Sequence, residues 1–189
     1  EAEYRRVILD QIYQDFSPHD PAGVLRHEWA NSRGCIARFT RNAIEIRVLD
    51  VQECPAADLS IAHLVTAVLG AICSGHLGHL GMVRELSTDT LAEQLLATIR
   101  EGESAVVPSR EYLEALDIGQ RGDTIVTAGD VWNRLLGLSM PASRQSPMVK
   151  RWLEVWRQHG TLARRMLADT GGSDTQPVLA ETFGRLASC

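Results

Sequence analysis

CIARFTRNAIEIRVLD, residues 35–50, is the stretch that decides the fold. Two runs of alternating apolar and polar residues flank Thr40, Arg41 and Asn42. Such alternation marks a half-buried strand, and a short polar triplet between two of them marks a turn. The stretch therefore reads as a β-hairpin. With Arg41 and Asn42 as a two-residue loop, Thr40 pairs with Ala43, Phe39 with Ile44, Arg38 with Glu45, and Ala37 with Ile46. Side chains alternate along a strand, so this pairing sorts them onto two faces. Cys35, Ala37, Phe39, Ile44, Ile46 and Val48 make an apolar face that needs a cover. Arg38, Thr40, Glu45 and Arg47 share the other face, and a slip of one residue would destroy the sorting.

Upstream, Ile8, Ile12 and Phe16 recur at helical spacing, so a helix is expected from Glu3 to Phe16. SPHDPAG ends it, and Asp20-Pro21 suits the cap of a short helical turn. The segment VLRHEWANSRG fits neither period. Downstream, Pro55 opens a run of some six helices. In the first, Leu59, Ala62, Val65 (or Thr66) and Leu69 lie beside Ile61, Leu64, Val68 and Ile72. So wide an apolar surface suggests burial under the sheet. A capping box from Thr90 to Glu93, then Ser109 and Thr127, mark later helix starts. Gly102, Gly160 and Gly171 mark helix ends. Gly119 to Gly122 and Gly171 to Gln176 are the segments expected to flex.

The expected fold class is α+β: short antiparallel strands at about residues 35–50, followed by a mostly helical region over 55–189. A two-stranded hairpin is marginal alone in water. Either helices cover its apolar face, or the rest of its sheet lies in sequence beyond these 189 residues.

The net charge is -5 and the pI about 5.7. With no basic cluster, that balance argues against nucleic acid or an anionic membrane as the main partner. No uninterrupted apolar run approaches the ~18 residues needed to span a bilayer, and no signal-peptide pattern opens the chain. EAEYRRVILD reads as the middle of a helix, so a fragment or a processed chain is expected. Four cysteines without paired spacing argue against a disulfide scaffold and for a reduced, cytoplasmic setting.

The charged strand face has two readings. As a solvated face, it would carry cross-strand ion pairs of under ~1 kcal/mol each. As a site, it would hold a carboxylate between guanidiniums. Carboxylate oxygens suit Mg²⁺ and arginines suit phosphate, which together serve phosphoryl transfer. Other candidates are weaker. Cys73, His76 and His79 have a zinc-like spacing but no fourth ligand. His27 and Glu28, if on a strand, point oppositely and do not act jointly. Trp132, Trp152 and Trp156 sit at helical spacing among leucines and read as core.

Beyond this pattern, RHEWANSRGCIARFTRNAIEIRVLDVQECPAADLSIAHLV resembles the C-terminal half of glutamate–cysteine ligase family 2. These are carboxylate-amine ligases with a glutamine-synthetase-like sheet. The resemblance rests on Trp29, Arg33, Arg38-Phe39, Glu45-Ile46-Arg47 and Asp50. Ala43 departs from it, standing where glutamine synthetases carry a first arginine. The resemblance implies an enzyme that uses ATP and Mg²⁺ to activate the γ-carboxylate of glutamate as an acyl phosphate. The amine of cysteine then attacks, giving γ-glutamylcysteine. Carried over, Glu45 would be a metal ligand and Arg47 and Arg38 catalytic. Arg33, Asn31, Trp29 and His27 would contact substrate or phosphate. The chain would then be the C-terminal portion of a larger catalytic domain whose N-terminal half is its missing partner, and inactive alone. Its unfinished sheet edge leaves self-association open. The alternative expectation is a non-catalytic helical interaction module whose charged strand face is solvated.

Overall fold

The computed structural model describes residues 1–118, 125–171 and 176–186. Most of the segments expected to flex, 119–122 and 172–175, therefore lie outside the described residues, as does Cys189. The architecture is α+β, with one two-stranded antiparallel hairpin and a helical C-terminal region. The chain divides into two compact units, Glu1–Val51 and Gln52–Cys189.

In the first unit, helical backbone runs through α1 (Ala2–Tyr4), a π-helical turn (Arg5–Leu9) and α2 (Asp10–Phe16). The helix expected from Ile8, Ile12 and Phe16 is present, but it is Leu9 that is buried. Tyr4 meets Phe39 edge-on with ring centroids 5.3 Å apart, an arrangement that aromatic quadrupoles favour. The Asp20 carboxylate accepts the amides of Val24 and Leu25, each at 2.8 Å, and so closes the turn after the helix.

The hairpin consists of β1 (Cys35–Arg38) and β2 (Ala43–Ile46). Its register is Cys35 with Ile46, Ile36 with Glu45, Ala37 with Ile44, and Arg38 with Ala43. The pairing expected from the sequence is thus displaced by two residues. A two-residue type I′ loop needs left-handed backbone at both central positions. Only Asn42 adopts it, at φ 48°, while Phe39–Arg41 form a 3₁₀ turn. A displacement of two leaves every side chain on its expected face.

Which face lies inward is the reverse of expectation. Ile44 is 64% exposed, and Ile46 and Val48 are also exposed; of the apolar face, Phe39 is met by Tyr4. Ile36 shares the other face with Arg38 and Glu45, and it is 2% exposed. The charged face turns inward because its charges find partners on the turn at residues 28–31, and Ile36 is buried with them.

The second unit is helical: α3 (Pro55–Cys73), α4 (Leu80–Glu85), α5 (Thr88–Glu101), α6 (Arg110–Ala115), α7 (Ala128–Ser139), α8 (Pro147–His159), α9 (Leu162–Thr170) and α10 (Gln176–Leu186). Helix α3 buries Ala57, Ser60, Leu64 and Val68 and packs within this unit against α7 and α8. Its expected stripe partners Leu59 and Leu69 are exposed. By length and composition α3 is apolar enough to cross a bilayer, although no uninterrupted apolar run suggested it. The core gathers Leu64, Leu113, Val131, Leu135 and Leu153 from α3, α6, α7 and α8, with Leu77 from the bend after α3.

Helix boundaries follow local chemistry. Thr127 and Asp130 cap α7 reciprocally, and Ser109 Oγ accepts the Tyr112 amide at the start of α6. Helix α5 starts at Thr88, ahead of the expected Thr90–Glu93 box. Gly78 is required as glycine: at φ 67° its Cβ would lie 2.5 Å from the Ala115 carbonyl oxygen. Trp152 is buried and Trp156 packs beside it, whereas Trp132 is exposed. Cys35 and Cys73 are free thiols, while Cys54 is disulfide-bonded, which the spacing of the cysteines did not suggest.

Candidate functional site

The first unit gathers an alternating chain of charges. Glu28 opens a 3₁₀ turn, Glu28–Ala30, and is buried. Its Oε1 accepts from Arg38 Nε at 3.0 Å and from Thr40 Oγ1 at 3.2 Å. Arg38 also donates through Nη1 to Glu45 Oε2 at 2.5 Å, and Arg47 Nε donates to Glu45 Oε1 at 2.8 Å. Arg47 Nη1 then reaches back to the turn, donating to the carbonyls of Trp29 and Asn31, each at 2.8 Å. One short turn therefore holds both arginines that flank Glu45.

Asn31 is buried and fixes the end of the turn. Its Nδ2 donates to Tyr4 Oη at 2.9 Å, and its Oδ1 accepts from the Arg33 amide at 3.2 Å and Arg33 Nη1 at 3.3 Å. Helix α1 and the segment that leads into the hairpin are thereby joined through one asparagine. His27 takes no part in the ion network; its ring stacks on Trp29 with centroids 6.2 Å apart. Both rings are exposed.

The electrostatics follow from these contacts. Hydrogen bonds from Arg38 and Arg47 hold the Glu45 carboxyl below the ordinary glutamate range. Burial pushes the Glu28 carboxyl up, but Arg38, Thr40 and the Phe39 amide together outweigh it and hold it down. The Arg38 guanidinium is raised, first by Glu45 and then by Glu28. Two carboxylates and two guanidiniums cancel, so the network is neutral as a unit. Arg33 stands outside that cancellation as an exposed cation.

Accessibility differs within the chain of charges. The Arg38 side chain is 12% exposed and that of Glu45 36%, so Glu45 is the member most open to a ligand. A carboxylate oxygen has two acceptor positions. Each Glu45 oxygen uses one on an arginine and keeps one. Among the described residues, no three carboxylates, histidines or cysteines gather to hold a metal ion. Mg²⁺ commonly binds one or two carboxylates together with phosphates and water. Glu45 fits a supporting ligand of that kind and does not make a cage.

The structure thus brings together Arg38, Glu45 and Arg47 directly, Trp29 and Asn31 through their carbonyls, and Arg33 through Asn31. It leaves His27 to one side. Thr40 stands with the charged face as expected, Glu28 was weighed only as a partner of His27, and Tyr4 was missed. The segment that fitted neither period forms a 3₁₀ turn, and from it Glu28 points inward. Cys73, His76 and His79 lie in the second unit, where His76 Nδ1 pairs with Ser74 Oγ at 2.7 Å.

No protein-family model matches the chain, and no solved structure matches it. Over 111 residues it is 37% identical to an uncharacterized protein of Archaeoglobus fulgidus; the match covers 59% of this chain and 27% of that protein. The matched region is thus about a quarter of the length of that relative.

Proposed function

We propose that this chain is part of an ATP-dependent carboxylate-amine ligase, acting on glutamate and cysteine as glutamate–cysteine ligase family 2 does. The observation that carries the proposal is Glu45, a partly exposed carboxylate with each oxygen held by a different arginine on a strand face turned inward. The strand's motif, Glu45-Ile46-Arg47, and Trp29, Arg33 and Arg38 before it are the residues on which the resemblance rests.

In this reading Glu45 offers its remaining acceptor positions to a cation. When bound, Mg²⁺ neutralises charge on the ATP phosphates. Arg47 and Arg38 hold the carboxylate in one orientation and place positive charge beside it, so little reorganisation is needed as charge moves in the transition state. Exposed Arg33, held to Asn31 through Nη1, keeps further guanidinium donors for a phosphate or a substrate carboxylate. The γ-carboxylate of glutamate displaces ADP from the γ-phosphorus, and the cysteine amine then displaces phosphate from the acyl carbon. Residues outside this chain would supply the other ligands, since Glu45 alone is no complete metal site. The reading as an interaction module with a solvated charged face draws less support, because Arg38 is largely buried.

The test is ligase turnover by the longer protein, followed as phosphate release dependent on both glutamate and cysteine. Glu45→Gln keeps the shape and removes the charge. It is expected to lower kcat by about 100-fold or more, the scale of losing one electrostatic contact at a reacting centre. Unchanged turnover would remove Glu45 from the mechanism. The 189-residue chain by itself is expected to show none.

A further inference from the structure

We infer that Glu28 is a positioning residue of this site, acting on Glu45 through Arg38; as a role in catalysis, the inference rests on the ligase reading above. A carboxylate is costly to bury unless it is paired and hydrogen-bonded. Glu28 is buried and meets that condition through two side-chain donors, Arg38 Nε and Thr40 Oγ1. A guanidinium is planar, with its donors in a fixed fork. Pinning Nε on Glu28 and Nη1 on Glu45 therefore fixes the plane of Arg38 and the direction of its third nitrogen. The Arg47 anchor is different in kind, since it uses the carbonyls of Trp29 and Asn31. Replacing the Glu28 side chain therefore releases Arg38 while leaving the Arg47 acceptors in place. Glu28 makes no hydrogen bond to Glu45, and Arg38 is bonded to both, so the effect of Glu28 on Glu45 passes through Arg38.

The test has two readouts. In the 189-residue chain, nitrogen-15 NMR of the guanidinium Nε–H groups reads each arginine separately. Glu28→Gln is expected to speed solvent exchange at Arg38 Nε–H and to leave Arg47 Nε–H unchanged. In the longer protein, the same substitution is expected to lower kcat about 10- to 100-fold, the usual scale for partners that orient a ligand, with KM little moved. In an Arg38→Lys background it should add no further loss. Thr40→Val, which removes one donor to Glu28, is the milder variant and should move the same signals by less. Unchanged exchange at Arg38, an unchanged kcat, or a full further loss in the Arg38→Lys background would each overturn the inference. Equal loss of protection at both arginines would also overturn it, by making Glu28 a general structural residue. If the wild-type longer protein has no turnover while Arg38 alone responds in the NMR experiment, the ligase reading fails and the positioning of Arg38 by Glu28 stands.

Discussion

The molecule holds arginine and glutamate together in two ways. In the first unit, Glu45 accepts from Arg38 and Arg47, and both arginines carry further bonds to Glu28 or to main-chain carbonyls. In the second unit, Arg165 Nη1 meets Glu53 Oε1 at 2.5 Å, with the side chains 10% and 0% exposed. There Glu53 Oε2, Arg165 Nε and Arg165 Nη2 are buried without a hydrogen-bond partner. The first arrangement is partly open to solvent, and both of its carboxylates are bonded. The second is closed and incompletely satisfied. An ion pair out of water recovers its desolvation cost only when the remaining donors and acceptors are bonded as well. The contrast thus separates a bonded network partly open to solvent from a closed pair that fastens the segment before α3 to α9.

The largest expected effect breaks the closed pair. Arg165→Met leaves Glu53 charged, buried and alone, and should cost about 3–5 kcal/mol of stability. Adding Glu53→Leu removes the orphaned charge and should restore most of it, or leave the protein more stable than wild type by about 1–4 kcal/mol. Urea unfolding followed by helical circular dichroism measures both. A loss under about 1 kcal/mol in the single variant would show that water reaches the pair, and the distinction from the Glu45 network would fall.

The contrast also marks what could be read in the sequence. The hairpin, its two faces and the grouping of Arg38, Glu45 and Arg47 were legible, because a strand has period 2 and a two-residue error in register leaves the faces intact. The inward face was not legible. It depends on Ile36 and on Glu28, and Glu28 reaches Arg38 from a turn with no periodic signature. Helix starts at Ser109 and Thr127 were legible because caps are local chemistry. The wide apolar surface of α3 suggested burial under the sheet, but only Ala57, Ser60, Leu64 and Val68 are buried and the helix packs on α7 and α8; with nearly every side apolar, the sequence does not single out that stripe. The Glu53–Arg165 pair joins residues 112 positions apart, where no local pattern operates.

A smaller effect comes from acid. Glu45 and Glu28 both have folded carboxyls below their ordinary value of 4.5. A carboxyl lowered by folding contributes its full stabilisation above the unfolded value and loses it as pH falls through the folded one. The first unit should therefore hold its structure at neutral pH and weaken as pH drops below about 4.5. In Glu45→Gln that part of the pH dependence should flatten, with lower stability than wild type at pH 7 and a smaller difference in acid. Amide exchange of β1 and β2 against pH follows it; parallel wild-type and variant curves would mean that Glu45 gains nothing from its two arginines.

The smallest effect sharpens the comparison from the backbone side, by testing whether the loop alone sets the network's geometry. Asn42 holds φ 48° at the end of the Phe39–Arg41 turn, immediately before β2. Left-handed backbone costs an ordinary L-residue about 1–2 kcal/mol, and asparagine or glycine less. Asn42→Ala should therefore destabilise the hairpin by about 1 kcal/mol, and Asn42→Gly should be close to neutral. Neither should alter the exchange of Arg38 Nε–H once the hairpin is folded, because Glu28 and Glu45 hold that group and the loop does not. A shift at Arg38 in Asn42→Gly would mean that the loop conformation places the arginine, and that the carboxylates merely meet it there.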